Sequence, residues 1–208
     1  MVIFIQEEQM SLGLFNMLTK ASKSITNVLC KNGIVSEEFY DVYLYGFELL
    51  LSFIFSTGLV ILTGVLINKF FETLFFLFTF IVLRSFTGGF HAMKYWVCTV
   101  STLGVYTLIM TLSVIFDVNN ICILVLMLIG LGVLFFKSPV VNPNKEMTDN
   151  QIIKNKWISI VLFIALSLVS YFFINIVTGI SSTIFFTLVI DLILIFVNTQ
   201  KRNKLNRS

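Results

Sequence analysis

The chain has 208 residues, of which 57% are hydrophobic and only 12% charged, with a formal net charge of +3. That composition excludes an ordinary soluble domain, and so small a charge excludes nucleic acid as a partner. Three widely spaced cysteines and a single histidine supply neither a disulfide framework nor a usual zinc ligand set, so no metal or cofactor is expected.

Long apolar runs separated by short polar stretches are the pattern of an all-α, polytopic membrane protein forming a single domain over residues 1–208. The first five residues are too short for a cleavable signal and are followed by Glu7 and Glu8. Over 11–30, Leu12, Phe15, Leu18, Ala21, Ile25, Val28 and Leu29 recur at helical spacing, with Asn16, Lys20, Lys23 and Asn27 mostly opposite. This predicts an amphipathic helix that lies in the membrane interface, or packs against a partner's helix, including that of a second copy in a homodimer. Cys30 at its end reads as an apolar filler or a lipidation site. Ser36 is placed to cap the next helix, with Glu37, Glu38 and Asp41 in the first turns.

Six membrane segments are expected, over 43–67, 70–87, 93–116, 121–136, 157–177 and 183–197. The second is short for a bilayer of about 30 Å and needs residues 84–87 to span it. Two acids fall inside these segments, and a carboxylate facing lipid is costly. Glu48 either pairs with Arg84 or orients His91. Asp191 either makes a hydrogen bond between helices or contacts a substrate. Cys122 reads as structural. With the N-terminus in the cytoplasm, six crossings put every Lys and Arg except Lys69 on the cytoplasmic side. The positive-inside rule thus places both termini there, together with residues 84–98.

That stretch, 84–98, is polar between two apolar runs and holds Arg84, Gly88, Gly89, His91 and Cys98. A cysteine is nucleophilic as its thiolate, and a nearby imidazole is the usual means of forming it. In one straight helix His91 and Cys98 share a face but stand about 10 Å apart, too far for proton transfer. Catalysis therefore needs a bend, and Gly88–Gly89 is the place for it. The exposed amides beside the glycines could then stabilise an oxyanion. A plainer reading makes Gly88–Gly89 a turn between two membrane helices, with Arg84 and Lys94 as interfacial anchors.

The order Arg84, Gly89, His91, Cys98, with the cysteine seven residues after the histidine, resembles the accessory gene regulator B family. These are membrane cysteine peptidases that process precursors of cyclic quorum-sensing peptides in Gram-positive bacteria. Gly46-Phe47-Glu48-Leu49-Leu50 is similar to that family's Gly-x-Glu/Gln in its first membrane helix. Ser138-Pro139-Val140, ahead of an Asn/Lys-rich loop, is a third match. The likeness in layout covers nearly the whole chain. It implies His91 and Cys98 as the catalytic pair, supported by Arg84, Gly88, Gly89 and Glu48. It implies a location in the bacterial plasma membrane. It also implies an amphipathic pro-peptide substrate with an internal Cys or Ser and an acidic C-terminal tail, which a basic face would attract. The rival class is a non-enzymatic transporter or assembly subunit, in which broken helices and intramembrane acids also occur.

Overall fold

The computed structural model describes residues 2–87, 95–139 and 148–205, with side chains over 17–87, 99–139 and 148–200. Among these residues the secondary structure is helical, with no strand. The helices are α1 (Val2–Lys31), α2 (Tyr40–Leu66), α3 (Phe70–Thr87), α4 (Tyr95–Ile115), α5 (Asn120–Lys137), α6 (Asp149–Phe173) and α7 (Thr178–Leu205). The chain divides into two compact units, residues 1–60 with 92–104 and residues 61–91 with 105–208.

Among the described residues, five stretches are long and apolar enough to cross a bilayer: Glu37–Leu66, Phe70–Thr87, Asn120–Lys137, Asp149–Phe173 and Thr178–Gln200. At about 1.5 Å per residue, the 18 residues of α3 reach about 27 Å. The helix thus does continue through Arg84 to Thr87, as its spanning length requires. The third expected segment, 93–116, coincides with α4, Tyr95–Ile115.

Several helix ends differ from those expected from hydropathy. α1 begins at Val2 rather than at residue 11, and α7 starts at Thr178 and runs to Leu205, so part of the basic tail is helical. α6 begins at Asp149, eight residues before Trp157. There the backbone N–H of Thr148 donates to Gln151 Oε1 at 3.3 Å, as in a capping box, and a polar helix needs no lipid to be stable. Ser36 has extended backbone but makes no side-chain cap hydrogen bond; a 3-10 turn, Glu37–Phe39, leads into α2 instead. Asn119 does cap α5, accepting from Cys122 N–H at 2.9 Å.

In the first unit, α1 buries Ser22 and Thr26 completely while Met17, Ile25 and Val28 are exposed. Both hydroxyls donate back to carbonyls one turn earlier, Ser22 to Leu18 and Thr26 to Ser22, each at 2.9 Å. Those bonds satisfy the hydroxyls locally, so a small polar side chain can sit against protein without another partner.

In the second unit α7 is the central element, since 61% of its most apolar window is buried against 39% for α3. Ile184, Leu188, Leu192 and Ile195 of α7 join Leu83 of α3, Leu134 of α5 and Phe163 of α6 in one core. Phe163 is fully buried and presses on Gly130 of α5, where any Cβ would overlap its ring. The α6–α7 turn is pinned by reciprocal bonds. Ser170 Oγ donates to Ser181 O at 3.0 Å, and Ser181 Oγ to Ser170 O at 2.8 Å.

The α3–α7 contact fixes the level of the charged residues. Glu72 Oε1, held by Lys69 Nζ at 3.0 Å, lies 3.0 Å from where a Cβ on Gly179 would stand. The first turns of α3 and α7 therefore touch. Because Leu83 also shares the core with α7, the two helices run side by side in the same direction.

Candidate functional site

Arg84 occupies the last turn of α3, half-buried, with its guanidinium 5.2 Å from the centre of the Phe80 ring. Phe80 lies one turn earlier, so an arginine here shields its charge on an aromatic face within its own helix. Gly88, Gly89 and His91 fall outside the described residues, and the expected bend falls with them. Helix α3 ends at Thr87 and α4 begins at Tyr95, which places Cys98 in the first turn of α4. Backbone N–H groups there have no acceptor within the helix, and the positive end of the helix dipole favours a thiolate.

Glu48 lies on α2, in the first unit, and is half-buried; Arg84 belongs to the second unit. Each has an interaction partner. Gly46, two residues before Glu48, has open space where a side chain would be, beside Val42, Tyr43 and Leu50. Among the other cysteines, Cys30 is half-buried and Cys122 exposed on α5.

Asp191 is the residue whose surroundings the sequence did not disclose. It is 2% exposed, and its Oδ2 has no hydrogen-bond partner among the described residues. Thr187 and Thr183, one and two turns earlier on the same face of α7, are also buried. Their hydroxyls are committed to their own helix, Thr183 to Gly179 O at 2.8 Å and Thr187 to Thr183 O at 2.7 Å. Asp191 lies twelve residues along α7 from Gly179, as Arg84 lies twelve residues along α3 from Glu72.

Spans of this number and apolarity define a multi-pass integral-membrane protein. Residues 22–196 match the family model of accessory gene regulator B, and the chain belongs to that family. It is 29% identical over 187 residues to AgrB-like protein 1 of Clostridium perfringens (strain 13 / Type A), covering 89% of this chain and 98% of that one. No solved structure matches it. Membership implies a part in accessory gene regulator processing.

Proposed function

We propose that the protein is a membrane-embedded cysteine endopeptidase that removes the C-terminal tail of a quorum-sensing pro-peptide and promotes its cyclisation. The observation that carries this reading is the Arg84, Gly89, His91, Cys98 order inside a chain that matches the family over residues 22–196. In the proposed arrangement there are six spans, with α4 as the third, α1 along the interface and both termini in the cytoplasm. Spans two and six of such a chain must run in the same direction, as α3 and α7 do.

His91 takes the proton from the Cys98 thiol, and the thiolate attacks the carbonyl carbon of the bond before the tail. Backbone N–H groups near Gly88–Gly89 receive the developing oxyanion. Protonated His91 then gives its proton to the leaving amine, and the tail departs. The remaining peptide is held as a thioester on Sγ of Cys98. The peptide's own Cys or Ser side chain attacks that thioester, closes a thiolactone or lactone ring, and returns the thiol to Cys98. Exclusion of water at the lipid boundary keeps hydrolysis from discharging the thioester first.

The test is selective alkylation. A Cys30→Ala, Cys122→Ala protein in proteoliposomes should cleave a pro-peptide within about threefold of the wild-type rate, since neither thiol has a role in the proposed chemistry. One equivalent of iodoacetamide should then stop it. A protein that stays active with Cys98 fully alkylated contradicts the assignment.

A further inference from the structure

We propose that Asp191 is a positioning residue for the stretch from Arg84 to Cys98. Its buried carboxylate, brought level with Arg84 by the parallel α3–α7 pair, holds that guanidinium and with it the end of α3. The proposal rests on the peptidase reading for its catalytic consequence, but the pairing itself stands on the helices alone.

The register gives the placement. Glu72 of α3 meets Gly179 of α7. Both helices continue unbroken from there, and both Arg84 and Asp191 lie twelve residues further on. At about 1.5 Å per residue each side chain lies about 18 Å along from the contact, so the two stand at one level. Asp191 belongs to the buried side of α7 that carries Thr187 and Leu188. Since Thr183 and Thr187 give their hydroxyl protons to their own helix, neither compensates the carboxylate. A buried carboxylate with one oxygen unpartnered among the described residues calls for a cation, and Arg84 is the cation that the register brings to its level.

Arg84 is one turn from Thr87, where α3 ends and the Gly88–Gly89 pair follows. A guanidinium tied to α7 fixes the end of α3 that leads in sequence towards His91 to the most buried of the described spans. Asp191 touches no substrate in this scheme. It acts through Arg84, and its loss should lower turnover rather than substrate affinity.

A double-mutant cycle on the full-length protein in bilayers tests this, with Asp191→Asn, Arg84→Gln and both together. The first readout is cleavage of a synthetic pro-peptide with an internal cysteine and an acidic tail. Each single variant should lose about tenfold in kcat with KM within about twofold, and the double variant should fall no further than Arg84→Gln alone. Asp191→Glu should recover part of the loss, and should cost nothing in the Arg84→Gln background. The second readout needs no catalysis: the maleimide reaction rate of Ser85→Cys, an exposed site on α3, in a background of Cys30→Ala, Cys98→Ala and Cys122→Ala. That rate should change by the same factor in all three variants. Should Asp191→Asn fail to insert, Asp191→Glu carries the same cycle with a smaller effect. Additive losses, or an Asp191 variant that matches wild type in both readouts, overturn the proposal. A wild-type protein that cleaves no peptide sinks the peptidase reading instead, while the maleimide rates still decide whether Asp191 and Arg84 act together.

Discussion

Cys98→Ala is expected to abolish pro-peptide cleavage at unchanged abundance in the membrane. An alanine has no nucleophile to form the thioester, and removal of a covalent nucleophile costs roughly 10⁴-fold or more. His91→Ala should cost somewhat less, about 10²–10⁴-fold, because a thiol at a helix N-terminus keeps some thiolate without its base. Cys98 lies in the first turn of α4, so some reactivity should survive there. Raising the pH should therefore restore part of the His91→Ala activity and none of the Cys98→Ala activity. Release of the tail from a synthetic pro-peptide, followed by mass spectrometry, measures all three. Comparable cleavage by the Cys98→Ala protein would remove the nucleophile from the scheme.

Gly89→Val is expected to cut cleavage by about 100-fold or more while the protein still inserts with both termini in the cytoplasm. His91 and Cys98 in a continuous helix would be about 10 Å apart, and a general base must come within about 3 Å. A misplacement of even 1 Å can cost about 10²-fold. A β-branched side chain restricts the backbone that only glycine adopts freely, and so disfavours the bend. Gly89→Ala should fall between the two. Cysteine-accessibility labelling of residues near each terminus checks insertion, and the cleavage assay checks the chemistry. Full activity in Gly89→Val would mean that the dyad forms without a turn at the glycines.

Much of the fold is legible in the sequence because lipid allows little choice: an apolar run of spanning length must close its own backbone hydrogen bonds, and a helix does so. α2, α3 and α5 accordingly lie within a few residues of the expected segments. The ends of α6 and α7 are not legible, since Asp149–Lys156 and the tail after Val197 continue as polar helix where hydropathy falls away. α1 shows a second blind spot. Periodicity groups Ile25 and Val28 with Leu18 on one face, yet Ile25 and Val28 are exposed and Ser22 and Thr26 are buried. Beside a membrane, small hydroxyl side chains allow close packing while apolar ones can face lipid, the reverse of a soluble core.

The site is legible in part for a related reason. Arg84, Gly89, His91 and Cys98 are close in sequence, and their chemistry is local enough to read as a motif. Asp191 is flagged by its charge alone. The cation proposed to pair with it belongs to another helix far away in the chain, and the Glu72–Gly179 contact sets the register that brings Arg84 level with it.

The thioester on Cys98 is the central claim and can be seen directly. A pro-peptide whose internal Cys or Ser is replaced by Ala cannot close a ring, so the acyl-enzyme should accumulate. Acid quenching and intact-protein mass spectrometry should then find a mass gain equal to the peptide without its tail. The adduct should map to Cys98 and be released by hydroxylamine. Accumulation of free tail with an unmodified Cys98, or an adduct on any other residue, would contradict it.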